Sequence, residues 1–366
     1  MCAWSELDAL ISHAASRVRL LAAVTPVNAA LERRRLISAA NANAPLTPRW
    51  EYATACDDGL GRALEVAAVQ APKLLPSALA KVYLARITEL DLERRVTLAA
   101  GKQDLAALAR ERFGAAGGEA LALASRWSRE RPTCTDEPLV RTDSHQPSSL
   151  LSVMRARVAH LGIDFRVVVH TSLASLAATG ESTIYVAADR YTSASVTNRT
   201  ALHETLAHAL PRWRARSQPL GVFSFGTARG QDDQEGYALA LEDAHGVMDS
   251  SRRRELGARH EAARAMRQGA NFHEVVTSLR ELDHEAPAAV AIAERVFRGG
   301  TATREGLGRE AIYLAAYARV RAASAKDPGI LDVLASGQVS VRAAPMLKRL
   351  MAPADTRPSR DRRQSV

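Results

Sequence analysis

Two histidines and a glutamate in the segment Ala201 to Ala209 (ALHETLAHA) are the residue types of a zinc-hydrolase site. His203 and His208 would be imidazole ligands, with Glu204 beside them as the base for a metal-activated water. Their spacing is one residue wider than in the HExxH signature. In HExxH the histidines stand at i and i+4, about 40° apart around an α-helix, so both rings reach one ion. At i and i+5 they stand about 140° apart, and joint ligation requires an over-wide turn, a π-bulge. Without that bulge, HExxxH describes an ordinary surface helix that carries two histidines.

A third ligand is available in Gln234 to Ala238 (QEGYA), on the next expected helix. Glu235 is its carboxylate, and two histidines with one glutamate would leave a fourth position on a single Zn2+ for water. Gly236 beside it permits close backbone approach. Glu242 lies about two turns farther along, where it either orients a ligand from behind or is an exposed helix carboxylate. Asp232 and Asp233 are further candidate ligands, although Asp233 reads better as a helix cap.

These residues need a scaffold, and the apolar pattern supplies one that is α+β and predominantly helical. From Ser5 to about Arg126 apolar residues recur at helical spacing, as in Leu79, Val82, Tyr83, Ile87 and Leu90. Breaks fall at Pro26 with Asn28, from Asn41 to Pro48, and from Gly114 to Gly118. The polar segment Glu130 to Pro147 carries three prolines and reads as a linker. The expected organisation is a helical N-terminal region at 1–146, a catalytic domain at 147–352 and a disordered basic tail at 353–366. Strand character is confined to Phe165–His170 and Thr183–Ala187, enough for a small sheet. Helices are expected over Ser149–Leu161, Val196–Leu210, Gln234–His245, Ser251–Gln268, Phe272–Leu282, Ala286–Phe297 and Leu307–Ala323. A loop is expected over Pro211–Gln231.

The chain has 366 residues, 47% apolar and 24% charged, which excludes a disordered or collagen-like polypeptide. Cys2, Cys56 and Cys134 are odd in number and far apart, so they describe neither a disulfide framework nor a cysteine zinc site. No apolar run reaches the length of about 20 residues that spans a bilayer. The expectation is a cytoplasmic protein without a membrane partner. Lys plus Arg exceed Asp plus Glu by 49 to 40, a charge of +9 that would suit nucleic acid or an acidic peptide. The same excess arises from codon bias in a GC-rich genome, given the abundance of Ala and Arg. A basic binding or regulatory protein, catalytically silent, is therefore the alternative function. It is disfavoured because aromatics are only 5% and no helix-turn-helix or RNA-binding signature appears.

Several motifs together carry a resemblance. HETLAH, QPLGVFSFG (Gln218–Gly226), QEGYA, RVFRGG (Arg295–Gly300) and GLGREAIYL (Gly306–Leu314) resemble, in order and spacing, the zinc peptidase family of the microtubule-associated tyrosine carboxypeptidases. Its bacterial members are known as QEGLA-motif proteins. The likeness runs from Thr25-Pro26-Val27-Asn28 through the late helices. It implies a zincin-like catalytic domain, zinc held by His203, His208 and Glu235, and Glu204 as the catalytic base. Departures occur at Tyr237, where the family has leucine, at Arg309-Glu310, where it usually has Lys-Asp, and at Pro211, where it usually has arginine.

Animal members remove a C-terminal tyrosine from tubulin, so the resemblance implies a carboxypeptidase acting on a C-terminal peptide or protein tail, acidic by charge complementarity. Such a reaction needs an oxyanion donor, for which Tyr313 is the first candidate and Tyr237 the second. It also needs a cation for the terminal carboxylate, for which Arg298 and Arg309 are the candidates. Each of these residues also has a plain structural reading, the tyrosines as packed helix residues and Arg298 as a salt bridge at the Phe297–Gly300 turn. The run Arg252-Arg253-Arg254 reads as a solvated helix face.

Overall fold

Helical spacing over the first third condenses into the helices Trp4–Arg17, Leu20–Ala23, Ala29–Asn41, Leu60–Leu74, Ser77–Leu98, Leu105–Phe113 and Gly118–Trp127. They belong to a computed structural model that describes residues 4–57, 59–114, 117–133 and 136–352. The expected tail at 353–366, Cys2 and Cys134 lie outside the described residues; Cys56 is exposed and unpaired. Among the described residues no helix is long and apolar enough to cross a membrane.

The sheet material comprises β1 (Val140–Arg141), β2 (Arg166–His170), β3 (Ala177–Thr179), β4 (Thr183–Ala187) and β5 (Tyr191–Thr192). β1 pairs antiparallel with β5, and the larger sheet has the order β2-β4-β3. β4 is its middle strand, parallel to β2 with Ile184 opposite Val167, and antiparallel to β3 with Ile184 opposite Thr179. Ile184 and Val186, two apart, share one face of the pleat. They are fully buried in a core with Leu150, Met154, Ala201 and Ala209, which seats the histidine-bearing segment against the sheet.

From residue 147 onward most expected helices are present. Leu150–Leu161 starts at Ser149, whose side chain accepts a hydrogen bond from the Ser152 N–H, and Ala286–Phe297 has the expected bounds. Pro211–Gln231 differs from its expected loop, because it contains the end of the Leu210–Ala215 helix and the short Val222–Phe225 helix. Pro211 is helical, in the turn that directly continues the π-helical stretch. Asp233 is not a cap either. The Gly230–Ala244 helix begins earlier, and the Asp233 carboxylate is buried, accepting from Arg319 Nη2 at 2.7 Å and the Val341 N–H at 2.9 Å.

Helices from before and after residues 146–147 share cores. Leu7, Ile11, Leu64, Tyr83 and Leu90 pack in one cluster with Phe223, Phe225, Tyr237, Val320 and Val333. A second joins Val96, Phe113 and Trp127 to Leu239, Leu256, Tyr313 and Tyr317. The helix that carries Glu235 runs through this packing with Gly236 against the Ile312–Lys326 helix. A Cβ at Gly236 would stand 2.4 Å from the Ala316 carbonyl carbon. The expected cost of Gly236→Ala is about 1–3 kcal/mol from overpacking against backbone, measurable as a lower denaturation midpoint; an unchanged midpoint would show that the two helices separate freely.

Candidate metal centre

The histidine-bearing segment is built in three pieces. Ser193 caps the Ala194–Leu202 helix by accepting from the Val196 N–H, and a π-helical stretch, His203–Ala209, follows directly. The Leu210 N–H donates to the Thr205 carbonyl, the i→i+5 bond of a π turn. Thr205 Oγ1 donates back to the Ala201 carbonyl at 2.6 Å, a bond type that bends helices. The wide turn places both imidazoles on one side, with His203 Nε2 and His208 Nε2 3.2 Å apart.

Glu235 completes a triangle from the Gly230–Ala244 helix, its Oε2 lying 3.6 Å from His203 Nε2 and 4.0 Å from His208 Nε2. Among the described residues this is the group of three His, Cys, Asp or Glu whose ligand atoms converge, all within 4.8 Å. Ligand atoms around one tetrahedral zinc, each about 2.0–2.2 Å from it, are about 3.3 Å apart. The donor chemistry and the spacing therefore fit one zinc ion.

Glu242, two turns past Glu235, is fully buried rather than exposed, and its Oε1 lies 2.7 Å from His203 Nδ1. Arg252 holds its far side, Nε to Oε2 at 3.0 Å and Nη2 to Oε1 at 3.1 Å. Burial opposes the charge on Glu242, but Arg252 and His203 outweigh it and hold its pKa down to about 2. Burial likewise opposes a charged His203 ring, and its bonds to Glu235 and Glu242 overcome this, raising the pKa to about 10. His208, buried without such a bond, is lowered. Glu235 is held well below the usual carboxylate range despite burial, by His203 and Arg309.

Glu204 is nearly buried, and its Oε2 accepts from Thr179 Oγ1 of β3 at 2.6 Å. Arg309 donates from Nη2 to Glu235 Oε1 at 3.1 Å and from Nη1 to the Tyr313 hydroxyl at 2.8 Å. Its guanidinium is thus committed to the site itself. Tyr313 is buried, and burial raises its pKa. Arg298 has no carboxylate within 4.0 Å among the described residues, so the salt bridge at its turn is absent. Burial, and then Arg295, pull its pKa down to about 10, while Glu310, Tyr313 and Arg309 also act on it.

Tyr237 is not brought to this group. Two residues from Glu235, it points about 200° around the helix, into the core with Phe223 and Val333, and its nearest charges are Arg214 and Asp332. The run at 252–254 is not a solvated face: Arg252 serves Glu242, Arg253 donates to Glu130 Oε2 at 2.8 Å, and Arg254 binds the Leu282 carbonyl. Thr179 and Arg252 are the site residues that sequence reasoning missed, whereas Arg212, which leaves the histidine-bearing helix directly, was expected to draw an acidic peptide toward the cleft. Arg212 is half-buried, its Nη1 3.8 Å from Glu181 Oε1, with Glu204 and Glu235 also acting on it and its Nε unpartnered.

Residues 40–358 match the family model described as microtubule-associated tyrosine carboxypeptidase, and the chain belongs to that family. No curated protein matches the chain. If Glu242 orients a metal-binding His203, Glu242→Gln lowers zinc affinity about 10–100-fold. Competition with a chromogenic chelator measures this, and wild-type affinity in the variant would remove Glu242 from that role.

Proposed function

We propose that this chain is a zinc-dependent carboxypeptidase that removes a residue from the C-terminus of a peptide or protein tail, with Glu204 as general base. The observation that carries the reading is the convergence of His203, His208 and Glu235 at the π turn, with Glu204 alongside. Family membership supports peptidase chemistry; the zinc and the residue roles are inferred from the donor set. A zinc bound by these three residues supplies Lewis acidity, polarising a scissile carbonyl and lowering the pKa of water from about 15.7 toward 7.

The protein's own groups divide the remaining work. Glu242 accepts from His203 Nδ1–H, which fixes the tautomer and turns the Nε2 lone pair toward Glu235 and His208. Thr179 occupies Glu204 Oε2, so Oε1 takes the proton from the attacking water and passes it to the departing amine. Tyr313 already accepts from Arg309, which leaves its own O–H to donate to the developing oxyanion. Its raised pKa keeps that proton in place. Arg298, without a carboxylate partner of its own, pairs with the substrate's terminal carboxylate. An acidic tail suits the additional positive charge of Arg212.

Glu204→Gln is expected to retain near-stoichiometric zinc while turnover falls about 10²–10⁴-fold, as read by metal analysis and a C-terminal peptide library in parallel. Turnover at the wild-type rate would exclude Glu204 as the base. No zinc in reconstituted wild-type protein would overturn the metal assignment. Arg298→Ala should reduce cleavage of peptides with a free C-terminus by about tenfold or more, and affect amidated peptides little. Equal losses on both would place Arg298 elsewhere.

A further inference from the structure

On the Nδ1 side of His203, where Glu242 and Arg252 stand, lies a cavity of about 370 Å³ that the proposed reaction does not use. Its walls are the Ala194–Leu202, Ser250–Arg267 and Ala286–Phe297 helices, and five guanidiniums, those of Arg199, Arg252, Arg254, Arg259 and Arg295, line it together with the carboxylates of Asp249 and Glu255. Three are compensated. Arg252 pairs with Glu242 and Glu255, Arg259 with Glu255, and Arg295 with Glu310 at 3.2 Å.

Arg199 and Arg254 are different. Neither has a carboxylate within 4.0 Å among the described residues, and Arg254 donates only to the Leu282 carbonyl. Both are partly buried. Burial, and then the charge of Arg252, lower the pKa of Arg199. A third group on the same wall is also unsatisfied: His284 is buried and its Nε2 has no hydrogen-bond partner. Partly desolvated cations and an orphaned ring nitrogen cost stability unless something compensates them.

We propose that this cavity binds a phosphate-type dianion, held by the Arg199 and Arg254 guanidiniums with His284 Nε2 as a further donor. Of simple anions a phosphate monoester, about −1.5 to −2 at pH 7, can engage both guanidiniums that have no carboxylate within 4.0 Å, whereas a monocarboxylate has one charge to share between them. Arginine forks pair with phosphate oxygens in bidentate fashion. Inorganic phosphate and an organic phosphate monoester share this chemistry, and the cavity has room for a small substituent. Because Arg252 both lines the cavity and holds Glu242, the site adjoins the support of His203 without overlapping the three converging ligand atoms.

The test is calorimetric titration of the full chain with inorganic phosphate and, separately, glycerol phosphate at constant ionic strength, in wild type and in Arg199→Ala and Arg254→Ala. Saturable one-site binding in wild type, weakened at least about tenfold in both variants, supports the site. Tighter binding of the ester would assign it to organic phosphates, and equal or tighter binding of inorganic phosphate to the free ion. Absence of saturable binding, undiminished binding in the variants, or tighter binding of acetate than of either phosphate overturns it. Should the alanine variants not fold, tungstate soaked into wild-type crystals decides: anomalous density in the cavity supports the site, and density only elsewhere overturns it.

Discussion

His208 follows His203 by five positions, and this interval is the constraint on which the candidate centre depends. On an α-helix the two rings would diverge, so the backbone adopts the i→i+5 pattern and brings the Nε2 atoms to 3.2 Å. A π turn is rare because it is less favourable than the α-helix it interrupts, and it persists where surrounding structure supports it. That support is visible on every side. The buried faces of Ala201 and Ala209 sit on Ile184 and Val186, Thr179 of β3 holds Glu204, and the Gly230–Ala244 helix presents Glu235 and Glu242. The small sheet matters chiefly because it fixes this one stretch.

Charge is organised around the same point. A buried network of Arg86 and Arg112 with Glu89, Glu93 and Asp232 ties the Ser77–Leu98 and Leu105–Phe113 helices to the start of the Glu235 helix. Arg112 Nη1 donates to Asp232 Oδ2 at 2.9 Å. Such pairs add little net stability over apolar packing, yet removing one partner leaves a buried charge exposed to its full desolvation cost. The excess of +9 thus says little by itself about partners. What distinguishes an arginine beside the candidate centre or the adjoining cavity is whether a carboxylate is near it, and among the described residues Arg298, Arg199 and Arg254 have none within 4.0 Å.

Elements whose determinants are local were legible from the residues. Ala286–Phe297 needed only its periodicity, Ser149 is a capping residue at a helix start, and β2 and β4 are short runs rich in β-branched or aromatic residues. Elements set by pairing partners were not. β3 has three residues and exists because β4 lies beside it, so Thr179 carried no signal of its proximity to Glu204. Pro211 was misleading because proline ordinarily marks a loop or a break, whereas here it lies in a helix that runs on directly from the π turn. Tyr237 was drawn toward the site by adjacency to Glu235 along the chain, whereas helical geometry turns it to the opposite face.

The sequence by itself determined the donor types, the one-residue excess in the histidine interval, and hence the need for a wide turn. It also determined family membership, since ordered motifs survive without knowledge of contacts. Tertiary structure alone decided which carboxylates are buried against which cations. Glu242 was equally a solvated residue until the Ser250–Arg267 helix placed Arg252 behind it, and Arg309 was a free cation until the Ile312–Lys326 helix aligned it with Glu235 and Tyr313. The physical reason is that helical spacing sets direction within about a turn, whereas the energy of a charge depends on desolvation and on partners dozens of residues away.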